Sequence, residues 1–365
     1  TDPTDRNAGQ VDPVSSDGGA AGSPWPLVAT EIMASQGIPV AFIPTAKGGS
    51  SIQQWQPAAD HSNPATLYGS MNRRINAIGG EVAGVLFFQG ESDASNGISQ
   101  TDYENRLNTY VNTVATDFPG VKTLIGQIGH SNFAGNDKVR AGQVAVINTN
   151  NNTLLGPATY DINLANEGGD TLHFKSNADM ASFAARWSAA IDKEFYAGTD
   201  GYGPIVDSAN LVYDLDNNKI TVPFTDDSLP ILNVASSVTT GSFELQNNGA
   251  TVGIASIQVL TDSVELTPTS VLNTTQSITL TYASLNDGVD EAIYDSIGLP
   301  AQPFYDENVG IANDAPFPET IVRFDPLTSP TNVENVTFTV TFSEDGTTSL
   351  AGIRFTKDGK LAAYQ

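Results

Sequence analysis

The sequence predicts an α/β domain built on a parallel sheet, followed by an antiparallel β-sandwich-like domain. Three observations carry that expectation. Short apolar runs alternate with helix-length segments over residues 23–198, an order that puts helices on both faces of a parallel sheet. Past "YAGTDGYGP" (196–204) the runs turn β-branched and alternating, with Asn-Asn, Asn-Gly and Asp-Gly turns between them. Residues 1–22, rich in Asp, Gly, Pro and Ser, have no apolar period and read as a loop or mobile arm.

Each element has a local reason. "SPWPLVATEIMASQG" (23–37) offers a Ser cap, Pro24 in the first turn, an apolar face and a closing Gly37, so it is a helix. "IPVAFIP" (38–44) is a short apolar run read as a buried strand, followed by a helix in 65–80. "VAGVLFF" (82–88) and "VKTLIGQIG" (121–129) read as strands, "TDYENRLNTYVNTVATDF" (101–118) and "NDKVRAGQVAVIN" (136–148) as helices. "ATYDIN" (158–163) is the next expected strand, and 176–195 the last long helix. The expected boundaries are an α/β domain over 23–198 and an accessory β domain over 204–323. Residues 324–365 extend that domain or begin a further β unit.

Composition narrows the chemistry. The chain has no cysteine, which excludes disulfides, thiol catalysis and thiolate metal sites. Its formal charge of −25, from 41 acidic and 16 basic residues, repels nucleic acid and anionic membranes and reads as an adaptation for solubility or salt tolerance. No run approaches the ~18 apolar residues that cross a bilayer. The chain opens at Thr1 without a visible signal peptide, so an upstream segment is expected to have been removed, and the expected location is secreted or periplasmic. Oligomeric state is not legible.

Ligands of open parallel sheets bind beyond the carboxyl ends of the strands, so the residues after each run matter most. Three histidines exist. His61, in a polar loop, reads as solvated. His130 follows a strand and suits a structural or substrate-contact role. His173 has Asp170 one turn before it, and a carboxylate on Nδ1–H would hold the tautomer whose Nε2 accepts a proton. A helix-capping Asp beside a surface His is the plainer alternative. Gly48-Gly49 would let backbone N–H groups wrap an oxyanion, or simply make a turn. Gln89, ending a core strand in "FFQGESD", could aim its amide at the same point, with Glu91 and Asp93 orienting the loop through backbone groups or Lys47. Alternatively this is a polar strand-to-helix loop with Asp93 as a cap.

These blocks together resemble the SGNH-hydrolase superfamily, in its sialate O-acetylesterase and carbohydrate acetylesterase branch. The similarity covers roughly 22–195 through "AKGGSSIQQW" (46–55), "GVLFFQGESDAS" (84–95), "VRAGQ" (139–143) and "DTLHF" (170–174). It implies a flavodoxin-like, three-layer α/β/α domain that removes O-acetyl groups from sugars without metal or cofactor. A serine would be the nucleophile, His173 the base and Asp170 its orienter. The family's oxyanion donors map onto Gly49 and Gln89, and Trp55 would pack on the loop or touch substrate. The family's nucleophile block, Gly-Gln-Ser-Asn or Gly-Asp-Ser after the first strand, is absent here, and the first regular element is a helix. The block is therefore expected upstream of Thr1; Ser50 and Ser51 in the loop, and Ser15 and Ser16 on the arm, are poor substitutes. The β domain resembles the accessory sandwich of the same branch, with "SIGLPAQPFYD" (296–306) as a shared segment.

The leading expectation is a serine esterase acting on an O-acetylated sugar or polysaccharide. The alternative is a catalytically inactive carbohydrate-binding relative or a fragment lacking its nucleophile. A metal-dependent hydrolase using Asp170, His173 and Glu91 is weaker, because no multi-carboxylate or His-rich motif supports it. Asp214 and Asp216 in "YDLDNNK" could hold Ca²⁺, but a hairpin turn explains them as well.

Overall fold

The computed structural model of the chain describes residues 23–129, 133, 135–162, 176–199, 201–226, 232–233, 238–283 and 292–312. Beyond these it describes the strands at 318–325, 337–342, 353–355 and 361–363. Helix α1 (Trp25–Gln36) starts on Pro24 itself and not on a Ser23 side-chain bond, and it ends at Gly37, whose φ of 68° is one that glycine adopts freely. Helix α2 (Leu67–Ala77) is capped by the Thr66 hydroxyl, which accepts from the Gly69 N–H. Three parallel strands follow in spatial order, β1 (Gly84–Phe87), β2 (Lys122–Ile125) and β3 (Thr153–Leu155). Between them run the short α3 (Glu91–Ser95), the Ser99-capped α4 (Gln100–Asp117) and α5 (Asn136–Thr149). The Ser176-capped α6 (Asn177–Tyr196) closes this part.

Neighbouring strand residues point to opposite faces, and here each face has its own core. Phe87 and Ile125 join Tyr68, Met71, Leu107, Val111 and Val146 from α2, α4 and α5. Leu124 joins Val28, Ile32, Phe183 and Trp187 from α1 and α6, with Leu86 and Leu154 against them. Two expected strands differ from this sheet. The 38–44 run has strand periodicity, with Val40 and Phe42 on the α1–α6 core and Ile43 on the other. Among the described residues no strand stands beside it to complete a ladder. The third strand lies at 153–155, ahead of the expected 158–163. After Gly156 and Pro157 finish the pairing with Ile125 and Gln127, the chain turns away. Tyr160 explains why: its hydroxyl is buried against the Ala301 carbonyl (2.9 Å) and the Tyr282 hydroxyl (3.0 Å). Those tertiary partners outweigh the local β pattern.

The partners belong to two antiparallel-rich sheets. One orders β13 (Gly310–Ile311), β5 (Val212–Asp214), β6 (Lys219–Thr225), β10 (Ser263–Pro268) and β9 (Ile254–Val259), with β4 (Ile205–Val206) also on β6. The other orders β12 (Phe304–Asn308), β11 (Ile278–Tyr282), β7 (Phe243–Asn247) and β8 (Ala250–Val252). Inward residues of both, among them Tyr213, Val222, Leu266, Leu245 and Leu280, share one core with Ala158 and Tyr160. Asp214 and Asp216 lie on the β5–β6 hairpin, where the Asp214 carboxylate accepts the Asn217 N–H and side-chain amide (3.0 and 2.6 Å), which lowers its pKa. Contacts divide the chain into two compact units, Thr1–Ile311 and Ala312–Gln365. In the second, β14 (Pro318–Asp325) pairs with β15 (Thr337–Phe342) and β16 (Ile353–Phe355) with β17 (Leu361–Ala363), both antiparallel.

One buried acid makes the first unit pH-sensitive. Asp295 is 1% exposed; its Oδ1 accepts the Ile297 and Leu299 N–H groups, while its Oδ2 is buried without a hydrogen-bond partner. Burial pushes this carboxyl up to about 6, the backbone donors pulling it back and Asp226 adding repulsion. Folding therefore favours the protonated acid, so its contribution is complete below about pH 4 and fades as pH rises through 6. Asp295→Asn keeps an acceptor for both N–H groups. We expect it to raise the thermal midpoint at pH 7.5 and leave it unchanged at pH 4; a fall at pH 7.5 would contradict the assignment.

Candidate active site

The carboxyl end of β1 is where the chain departs most from a buried strand. Gln89 is 9% exposed, and its carbonyl accepts the Tyr103 hydroxyl (2.8 Å) and the Gln143 amide (2.9 Å). Gln143 in turn accepts the Ile128 N–H through its own carbonyl (3.1 Å), so α5 reads the ends of both β1 and β2. At Gly90 the φ of 155° and the Val139 side chain, 2.5 Å from where a Cβ would stand, leave room for glycine alone. The chain can then turn straight into α3, which carries the half-buried Glu91 in its first turn.

The Gln89 side chain locks a second segment in place. Its Nε2 donates to the Ser50 carbonyl (2.9 Å) and to Asp93 Oδ2 (2.6 Å), so both amide protons are engaged. The same Oδ2 accepts the Ile52 N–H at 2.7 Å. Burial raises the Asp93 pKa, and the bonds from Gln89 and Ile52 act against that rise. Gly48 and Gly49 make the turn just before this lock, Gly49 at a φ of 66° and both with open space where a side chain would be. The Ser50 hydroxyl is committed elsewhere, donating to the Lys47 carbonyl (2.7 Å) and accepting Trp55 Nε1 (2.9 Å). Trp55 is 6% exposed and edge-on to Tyr110, so it packs the loop.

Between Thr45–Lys47 and residues Val85–Gln89, in and just after β1, lies a cleft of about 90 Å³, polar at Lys47, Ser50 and Gln89 and apolar along the strand. The Phe87 carbonyl accepts the Gly126 N–H, so the peptide groups of Phe87 face β2. By the alternation of a strand, those of Leu86 face the other edge, toward the cleft. No strand among the described residues pairs with that edge.

The structure thus brings Gly49, Gln89, Glu91 and Trp55 into one neighbourhood. His130, Asp170 and His173 lie outside the described residues, as do Ser15 and Ser16. His61 keeps a half-exposed side chain but has a partner as well: its Nδ1 is 2.9 Å from the Asp117 carboxylate, which also accepts the Tyr68 hydroxyl and the Asn72 amide. Asp117 ends α4, whose 18 residues span about 27 Å, so this pair stands far from the Gln89 turn. Sequence reasoning gave Tyr103 and Gln143 no role, although "VRAGQ" held the second; nothing in their spacing revealed a shared partner at Gln89. Among the described residues no three His, Asp or Glu side chains converge as metal ligands.

Residues 19–191 match a protein family described as carbohydrate esterase, sialic acid-specific acetylesterase. No curated protein sequence matches the chain. Among solved structures, a carbohydrate acetylesterase from Xanthomonas citri superposes with a TM-score of 0.62 at 19% identity, covering 77% of this chain and 64% of that one. A protein from Arabidopsis thaliana overlaps at a TM-score of 0.42 and 22% identity, over 50% of this chain and 73% of that one. The chain therefore spans a little under two thirds of the Xanthomonas structure, and at that identity the likeness is one of fold. The family match bears out, over 19–191, the resemblance read from the sequence blocks.

Removing the Asp93 carboxylate would strand the Ile52 N–H and one Gln89 proton in a buried site. Asp93→Ala should cost about 3 kcal/mol in urea unfolding, with an unchanged m-value. A loss below ~1 kcal/mol would show that the lock does not hold the glycine loop.

Proposed function

We propose that this chain is the body of an esterase that removes O-acetyl groups from carbohydrate through an acyl-enzyme on serine. The observation that carries the reading is the coincidence of the family match over 19–191 with the Gly49 loop and Gln89 bound to one carboxylate. In this reading the domain is a flavodoxin-like three-layer sheet. Its nucleophile comes from outside residues 1–365, on a strand laid along the open edge of β1, in the cleft beside Thr45–Lys47. The serine would then arrive next to the glycine loop.

The serine Oγ attacks the acetyl carbonyl carbon while its proton passes to His173 Nε2, and Asp170 holds Nδ1–H. The developing oxyanion takes hydrogen bonds from the Gly49 N–H and from a Gln89 proton turned out of its bond to Ser50 or Asp93. Collapse breaks the ester bond, and the sugar oxygen leaves with the proton from the imidazolium. Water, deprotonated by His173, then attacks the acetyl-serine, and acetate departs as the proton returns to the serine oxygen. Every step uses groups of the polypeptide. Glu91 supports the turn, and His130 would line the sugar side. The −25 charge favours a neutral acetylated polysaccharide over an anionic one and disfavours nucleic acid and membrane partners, and a polysaccharide substrate would place the enzyme outside the cell or in the periplasm.

The test is acetate release from an acetylated polysaccharide by polypeptide that includes the upstream strand. His173→Ala should lower kcat by about 10³-fold or more with an unchanged circular dichroism spectrum. Turnover that survives the substitution removes the triad assignment. Saturable glycan binding without acetate release would establish the non-catalytic relative instead. In the 365-residue chain the Leu86 amide should exchange with solvent much faster than that of Phe87, and the upstream strand should slow it.

A further inference from the structure

The Gln89 amide has two protons, and neither is idle. One lies on Asp93 Oδ2 at 2.6 Å, the other on the Ser50 carbonyl at 2.9 Å. A donor for a developing oxyanion must surrender one of these bonds, and the two differ in strength and in place. The Asp93 bond is the shorter and is charge-assisted, of a kind roughly twice as strong as a bond between neutral groups. Ser50 and Gln89 both line the cleft, whereas Asp93, 2% exposed, is not among the residues of its wall. The proton on Ser50 is therefore both the weaker held and the nearer to a substrate.

The loop is not the part that yields. Its Ser50–Ser51 peptide is pinned on both sides: the Ser51 N–H donates to Gln54 Oε1 (2.9 Å), and the Ser50 hydroxyl bridges the Lys47 carbonyl and Trp55 Nε1. Nor can the amide turn end for end, since its oxygen would then face Asp93 Oδ2 and the Ser50 carbonyl, both acceptors. The Tyr103 hydroxyl, 3.3 Å from Gln89 Oε1, lies on the side the oxygen already occupies. What remains is a rotation of the amide about its bond to Asp93, which swings the other N–H off Ser50 and into the cleft. Burial raises the Asp93 pKa, while the Gln89 and Ile52 donors and the Arg106 charge act against that rise. The same three groups offset the negative charge that would otherwise oppose an oxyanion.

We propose that Asp93 is the positioning residue of the oxyanion donor: it keeps one Gln89 proton as a pivot and so assigns the other, now on the Ser50 carbonyl, to the acetyl oxygen in the transition state. The proposal rests on the esterase reading for the role of Gln89. Asp93 touches no substrate; it acts through the amide. Between turnovers the Ser50 carbonyl takes the second proton back.

The experiment follows the two Nε2–H resonances of Gln89 in polypeptide that includes the upstream strand, before and after addition of methylboronic acid, which forms a tetrahedral anion on a serine Oγ. A proton on a buried carboxylate resonates downfield of one on a neutral carbonyl, and Asp93→Asn identifies it by moving it upfield. The expected result is that the adduct shifts the other proton and leaves the downfield one in place. If the adduct forms and the downfield proton moves instead, or neither moves, the proposal is overturned. Kinetics give a second readout. Asp93→Asn keeps the size of the side chain and an acceptor oxygen but loses the charge. Its kcat should fall about tenfold at unchanged KM, part of the roughly 10²–10³ lost with a whole oxyanion donor. Tyr160→Phe is the stability control, since it removes a buried hydroxyl without touching Ser50, Gln89 or Asp93, and should lower the thermal midpoint alone. If Asp93→Asn likewise lowers only the midpoint, the carboxylate is structural and the proposal falls. Should Asp93→Asn not fold, the boronate experiment on the unsubstituted protein decides, the downfield proton being the one close to the Ile52 N–H that shares Asp93 Oδ2. Failure of the esterase reading looks different: no adduct forms, or acetate release survives His173→Ala, and the donor role of Gln89 goes with it.

Discussion

A single buried carboxylate organises the candidate site. Asp93 is 2% exposed and ties the Ile52 N–H, 41 residues away in sequence, to the Gln89 side chain. Without it only the Gln89–Ser50 bond would tie the Gly48-Gly49 turn to the end of β1, and the wall of the cleft between them would be less firmly set. Such a charge is tolerable because its donors approach it in a region of low dielectric, where each hydrogen bond is stronger than in water and each missing one costs more. The surrounding choices follow. Gly90 lets the chain turn within reach, Tyr103 and Gln143 hold the Gln89 backbone, and Trp55 anchors Ser50.

The two sheets of the β part serve the same end from the other side. Their shared core includes Ala158 and Tyr160, residues that the α/β part sends across, and the Gln127–Gln302 amide pair joins the two regions through a 2.7 Å bond. The interface is therefore built from specific polar contacts set in an apolar core. That combination fixes one relative placement and tolerates few others.

Much of this was legible in the sequence. Helices α2, α4, α5 and α6 and the strands β1 and β2 fall where periodicity and caps place them. "FFQGESD" flagged a strand ending in polar groups, and the structure gives those groups their partners. The failures have physical causes. The 38–44 run has a strand's alternation, but pairing requires a neighbour that no periodicity can supply. At 158–162 the tertiary partners of Tyr160 and Asp161 override a β-like pattern. The partner of the half-exposed His61 stayed hidden because its carboxylate, Asp117, is 56 residues away. Tyr103 and Gln143 were silent for the same reason: their meaning lies in convergence on Gln89, which spacing along the chain does not encode.

The edge of β1 that no strand among the described residues pairs also bears on how the chain behaves in bulk. A strand apolar on both faces, with peptide groups turned outward, is a template for any other extended chain, including another copy of itself. The described part of the molecule covers that edge with neither a bulge nor a proline, since Val85–Phe88 run straight to Gln89. What opposes self-association is the long-range repulsion between two bodies of charge −25. That repulsion reaches roughly 10 Å at 0.1 M salt and only about 3 Å at 1 M. Where that edge stays open, colloidal stability is thus a property of ionic strength, and concentrated salt favours edge-to-edge stacking.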